Sequence, residues 1–164
     1  MINQEIIESL QIHFDKKIFV VDESSDMLTV TVSREVIHEV IQFLRDDQFL
    51  HYHFLTTLCG MHYPANDLPL GLVYHLHNFT QNRRIRIKTF LPLDNPSVKT
   101  MTDLFLTADW MERETYDFFG ILFEGHPNLK RILNMEELDY FPMRKEYPLE
   151  DGTRKDKDDR FFGR

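Results

Sequence analysis

Apolar residues recur along this chain first at helical spacing and then in alternation. Ile2, Ile6, Ile7 and Leu10 fall at helical spacing, which predicts a short amphipathic helix. The run KKIFVVDESSDMLTVTV places two β-rich stretches on either side of a polar turn and reads as a hairpin. In SREVIHEVIQFLRDD, Val36, Ile37, Val40, Ile41 and Leu44 share one face, so a second helix is expected with Ser33 as its cap. FLHYHFLTTL, LGLVYHLHNF and RRIRIKTFL then read as three strands separated by MHYPANDLPLG and TQNR, the last two forming a hairpin. Strand alternation sets Arg84, Arg86 and Lys88 on one side and Ile85 and Ile87 on the other, so one sheet face is wet or meets a partner.

Pro92 and Pro96 interrupt the pattern before VKTMTDLFLTADWMERETYDFFG, which predicts one or two helices ended by Gly120. After Pro127 the period fades into prolines, alternating charges and isolated aromatics. Such a segment buries little of itself and is expected to become ordered on a partner. The expected fold class is α+β, a mixed or antiparallel sheet packed with helices. A body domain over residues 1–125 is followed by a docking extension over 126–164.

Composition narrows the function. A length of 164 residues suits one domain with a real core, and 14 phenylalanines leave some apolar surface for a partner. A formal net charge of -8 argues against nucleic-acid binding, which needs clustered cations against phosphates. The single cysteine, Cys59, excludes an internal disulfide and any all-cysteine metal or iron–sulfur site made by this chain alone. Flanked by Leu58 and Gly60, it is expected to be a small buried hydrophobe in a reducing compartment. The opening MINQEIIESLQIHF lacks the pattern of a signal or transit peptide, and no window has the ~20 apolar residues that span a bilayer.

Candidate chemistry centres on WMERETYDFFG. On a helix Asp109, Arg113 and Asp117 form a charge ladder, or Asp109 and Glu112 form a capping box. The carboxylates of Glu112 and Glu114 beside Arg113 could instead serve acid–base chemistry, but no nucleophile or phosphate-cradling loop accompanies them. Trp110, Tyr116, Phe118, Phe119 and Phe123 are too many to face inward together, and aromatics with arginine suit an interface. His51 with His53 and His75 with His77 each share a strand face and could ligate a metal together with His62 and Cys59. Strand histidines without such a role are the common alternative. The Arg84, Arg86, Lys88 stripe is either a solvated face or a contact with an acidic partner. His126, Pro127, Lys130 and Arg131 follow the Gly125 turn at short spacing.

The stretch ERETYDFFGILFEGHPNLKRIL resembles the signature of the C subunit of NADH-quinone oxidoreductase, the thirty-kilodalton subunit family of respiratory complex I. The matching positions are Glu112, Arg113, Glu114, Asp117, Phe118, Phe119, Gly120, Phe123, His126, Pro127, Leu129, Arg131, Ile132 and Leu133. FPMRKEYPL resembles the family's second element, with Arg144, Lys145 and Pro148. His62 departs from the pattern, standing where the family often has an acidic residue.

The resemblance implies a hydrophilic, peripheral-arm subunit of a proton-translocating complex, with no catalytic, metal or cofactor residues of its own. The motif residues would dock this chain to its neighbours. Partners would be the quinone-site large subunit, of the forty-nine-kilodalton type, and the iron–sulfur subunits. NADH, FMN, iron–sulfur clusters and quinone would reside in those partners. Membrane contact would be indirect, on the cytoplasmic side of a prokaryotic inner membrane. An equivalent subunit of a membrane-bound hydrogenase or other-donor quinone reductase is the nearest alternative; a free-standing metal enzyme using the His-x-His strands is a more distant one.

Overall fold

The computed structural model describes residues 2–14, 17–22 and 27–147. Helix α1 (Ile2–Phe14) buries Ile6 and Leu10, with Ile7 half-buried beside them. Strands β1 (Ile18–Asp22) and β2 (Leu28–Val32) pair antiparallel as expected, and residues 23–26 of the turn between them lie outside the described residues. Helix α2 (Ile37–Asp46) buries Ile37, Val40, Ile41 and Leu44. The His13 and Phe14 rings stand 4.4 and 5.8 Å from Phe43, so the C-terminal end of α1 meets α2. Strands β3 (Phe54–His62), β4 (Leu70–Asn78) and β5 (Arg83–Leu91) follow, then the short β6 (Ser97–Lys99), α3 (Ala108–Phe119) and β7 (Leu122–Glu124).

The main sheet has the order β1-β2-β5-β4-β3, with β2 and β5 parallel and the other neighbours antiparallel. It is a mixed sheet with helices, the α+β class read from the sequence. Register explains the core. Leu28, Ile85, Leu76 and Leu55 form one row across the sheet, and Val30, Ile87, Tyr74 and Leu58 the next. All are buried, in one cluster with the apolar faces of the helices. Removing that area from water at about 25 cal/mol per Å² is the main force holding helices to sheet.

Three elements depart from the local pattern. Helix α2 begins at Ile37, after Val36, with no side-chain cap. Ser33 is engaged in the exit from β2, its N–H donating to Lys17 and its carbonyl accepting from Val36. Strand β3 begins at Phe54 because Asp47 accepts the Phe49 and Leu50 N–H groups, closing a turn that carries His51 at a positive φ of 43°. His51 and His53 therefore do not share a strand face. The expected helical run from Val98 opens instead as β6, which pairs in parallel with β7, a partner too distant for a local pattern to reveal.

One further expectation is corrected. Cys59 is exposed, because β3 turns Leu58 and Gly60 inward and Cys59 outward. From Pro127 to Tyr147 the expected docking extension is bonded to its own body, as described below. Pro148 and the remainder of the extension to residue 164 lie outside the described residues.

Candidate functional site

The site is built by α3, the turn after it and the returning chain. Tyr116 accepts the Gly120 N–H, and Gly120 closes the helix in the left-handed region at φ 69°. A Cβ there would also collide with the Phe141 ring, so glycine serves both the turn and the close approach. Phe119 in turn rests its ring against Gly60 of β3, where again no Cβ fits.

Asp117 is fully buried yet fully satisfied. Its carboxylate accepts from Arg131 Nη1 at 2.8 Å, from the N–H groups of Ile132, Leu133 and Asn134 at 3.1, 2.8 and 2.9 Å, and from Asn134 Nδ2 at 3.1 Å. Burial opposes ionisation, but the bonds from Asn134, Leu133 and Arg131 outweigh it and hold the carboxyl well below the usual range. Arg131 completes the clasp by donating to the carbonyls of Asp117, Leu138 and Tyr140.

Phe141 is the second fastening. Arg131 stands 5.0 Å and Arg144 4.7 Å from its ring centroid, a double cation–π contact. Arg144 Nε donates to the Phe119 carbonyl at 2.7 Å, and the Met143 N–H to Phe118. His62, buried at the end of β3, accepts the Lys145 N–H on Nδ1 at 2.9 Å. His62 thus presents a lone pair to this amide, a task a carboxylate oxygen can also perform.

The remaining motif residues split between interior and surface. Glu112 is fully buried and accepts from the Thr100 hydroxyl at 2.5 Å and the Met101 N–H at 2.6 Å, tying α3 to the segment after β6. Burial pushes its carboxyl up to about 7 against those bonds. His126 donates from Nε2 towards the Asp109 carbonyl at 3.2 Å, its Nδ1 accepting from Asn128. Asp109 Oδ1 lies 3.3 Å from the same Nε2. Arg113 donates to the Lys130 carbonyl and stacks 5.0 Å from the Trp110 centroid. Glu114 and Pro127 are exposed.

The predicted ladder is therefore absent: Asp109, Arg113 and Asp117 each reach a different point of the returning chain. The capping box is absent too, because Glu112 turns inward. For acid–base chemistry the cluster offers little. Asp117 has its lone pairs occupied by five donors, and Glu112 has no access to solvent.

The histidines also part company. His51 stacks on His53 at 4.6 Å, His75 accepts from Arg86, His77 faces Asn82, and His62 belongs to the clasp. Among the described residues no group of three or more His, Cys, Asp or Glu side chains is placed to hold a metal. Sequence reasoning named Arg131 and Arg144 but missed Phe141, Asn134 and Thr100. Phe141 had a visible signal, an aromatic with a basic pair three residues on, whereas Asn134 and Thr100 act through tertiary contacts alone.

An α+β module clasping its own returning chain through a buried Asp–Arg pair is the class this architecture defines. A family model described as respiratory-chain NADH dehydrogenase, 30 Kd subunit, matches residues 30–153, and the chain belongs to that family. The C subunit of NADH-quinone oxidoreductase from Roseiflexus castenholzii is 42% identical over 147 residues, covering 90% of this chain and 84% of that one. The namesake from Citrifermentans bemidjiense is 40% identical over 93% of this chain and 94% of its own. That of Mycolicibacterium paratuberculosis is 40% identical, and this chain spans 62% of it. Among solved structures, the trypsin-resistant fragment of Nqo5 superposes with a TM-score of 0.67 at 28% identity, covering 79% of this chain and all of that one. A chain of an archaeal membrane-bound sulfane sulfur reductase shares the fold, with a TM-score of 0.75 at 22% identity.

Proposed function

We propose that this chain is a non-redox scaffold subunit in the peripheral arm of a proton-translocating NADH-quinone oxidoreductase. Its clasp side packs against the large subunit that forms the quinone site, with iron–sulfur subunits nearby. The observation that carries this reading is what the clasp leaves outside. Trp110 is 63% exposed, Leu133 64% and Met135 71%, while Arg113 and Arg131 near them are spent on internal bonds. Arg113 links Trp110 to the Lys130 carbonyl, so helix and returning segment present these apolar groups from one fixed frame. Exposed apolar groups on a rigid frame suit a protein interface.

Electron carriers belong to the partners in this reading. An iron–sulfur cluster takes four thiolates or equivalents, and this chain supplies one cysteine. NADH, FMN, the clusters and quinone are assigned in this reading to neighbouring subunits, and the isolated chain is expected to show no turnover of its own. No described helix is long and apolar enough to cross a membrane, which fits attachment through partners on the cytoplasmic side. An equivalent place in a complex with another electron donor is the second reading, favoured by the shared fold with the sulfane sulfur reductase chain.

The test is purification through a tag on this chain from gently solubilised membranes. Recovery of the large subunit with iron–sulfur partners is expected, and the accompanying donor module separates the two readings. Trp110→Ala combined with Leu133→Ala should lower that recovery while leaving the unfolding midpoint of the isolated chain close to wild type. A lone wild-type chain, under conditions that keep other membrane complexes intact, would overturn the assignment.

A further inference from the structure

The outer face of the main sheet meets the clasp at one edge, where Lys145 Nζ stands 5.3 Å from the Tyr63 ring centroid. The register lays Asp22, Thr29, Arg86, His75 and Thr57 in one row, and Thr31, Lys88, Val73 and Cys59 in the next. Arg84, His77 and Phe54 border these rows on one side, and Phe90, Gly71 and Met61 on the other. Val73 is the one buried apolar side chain of the described residues that lies outside the continuous core, so this surface is separate from it.

The cations here are arranged in line. Arg86 donates from Nε to His75 Nε2 at 2.9 Å and from Nη1 to Thr29 at 3.3 Å, which fixes its guanidinium. Arg84 and Lys88 flank it along β5 at intervals of roughly 6.8 Å. Among the described residues neither meets a carboxylate within ion-pair distance. Apolar rings stand at both ends. Phe54 and Phe79 are 39% and 54% exposed with centroids 4.9 Å apart, and Phe90 lies 6.3 Å from Tyr63.

We propose that this face is a second protein-docking surface, and that its occupant is a carboxylate-rich patch of another subunit, bordered by apolar residues. Charge complementarity sets the chemistry: a line of cations on a chain of net charge -8 attracts a compact acidic group. An extended polyanion, whether nucleic acid or a charged bilayer, also faces the acidic remainder of the chain and is repelled by it. A local acidic patch is drawn to the stripe even with Asp22 in the same row and Glu114 near Cys59, because screening limits the field of more distant acids to about 8 Å at physiological salt. Arginine and aromatic rings are the side chains enriched at protein interfaces. The proposal rests on membership of a multi-subunit assembly but not on the clasp-side contact. It makes the chain a bridge between two neighbours.

The face carries its own reporters, Lys88 and Cys59, in the same row. In the purified native complex, a zero-length carbodiimide should join Lys88 to an Asp or Glu of another subunit, identified by peptide mass spectrometry. At one fixed pH, a maleimide should label Cys59 in the isolated chain and fail to label it in the complex. Arg84→Glu together with Lys88→Glu should restore labelling in the complex, while Arg84→Gln alone, checked for native circular dichroism, should restore it in part. Recovery of the complex with Lys88 unjoined and Cys59 labelled as in the free chain would overturn this proposal alone. Recovery of a lone chain would overturn the assembly reading and this proposal with it. Binding of the isolated chain to phosphatidylglycerol vesicles, lost in the double variant, would overturn it in favour of a membrane contact.

Discussion

Asp117→Asn is the sharpest probe of the clasp, because it keeps the size of the side chain and removes its charge. The structure gives the carboxylate five donors and no solvent. An asparagine presents one acceptor oxygen and turns an NH₂ group towards donors, leaving Arg131 as a buried cation without its counter-ion. Each lost bond to a charged group is worth about 1.5–3 kcal/mol. The several-kcal/mol desolvation of Asp117 is relieved in the variant, and the net loss on breaking such a pair is roughly 3–5 kcal/mol. With an m-value of at most ~3 kcal/mol per molar urea, the midpoint of the full chain should fall by about 1 M or more. The pH dependence has a definite sign. The folded-state carboxyl is depressed, so its contribution is present above the unfolded value near ~3.9 and is lost as pH falls through the folded value. Wild type should therefore lose stability on acidification, with Asp117→Asn lacking that part of the slope. A variant within ~1 kcal/mol of wild type, with unchanged acid dependence, would refute the clasp as the element that holds the returning chain.

Three further outcomes follow from the same geometry. Glu112 is shifted the other way, up to about 7, so its contribution is present below its unfolded value and lost as pH rises through about 7. Melting temperature should decline from pH 5.5 to pH 8 in wild type and less so in Glu112→Gln; equal declines would contradict burial of this carboxyl. Gly120→Ala places a Cβ against the Phe141 ring at a positive φ, and should cost at least ~1–3 kcal/mol in strain while exposing residues 126–147 to limited proteolysis. His62→Leu leaves the Lys145 N–H without its acceptor, about 1–3 kcal/mol, whereas His62→Gln should recover part of it; two equally destabilised variants in urea titration would show that the bond is unimportant.

The elements that follow one face of a helix or sheet were legible because their periodicity is set by the same core that buries them. Ile37, Val40, Ile41 and Leu44, and Ile85 with Ile87, are inward because inward positions must be apolar. The short parallel pair β6 and β7 was not legible. Each strand has three residues, and each depends on a partner some 25 positions away that no local window contains. Cys59 was misplaced for a related reason: its apolar neighbour Leu58 implied burial, but in a strand the neighbour of an inward residue points outward.

The motif exposes the deeper limit of spacing. Asp109, Arg113 and Asp117 stand four apart, and on an isolated helix that spacing predicts pairing with one another at a few tenths of a kcal/mol. Their actual partners are 17, 17 and 14 positions onward, at His126, Lys130 and Arg131. Helical spacing still matters, though not as a ladder. It lines up the Asp109 backbone carbonyl, the Arg113 guanidinium and the Asp117 carboxylate so that the returning chain can be fastened at successive points along one helix. A surface ladder would be screened by salt, whereas Asp117 and Arg131 are shielded from water and tolerate only one register, because a shift of one residue would leave both charges unpaired. The same residues that look in sequence like a docking face thus build a rigid support, and that support holds exposed apolar neighbours such as Trp110 and Leu133 in place.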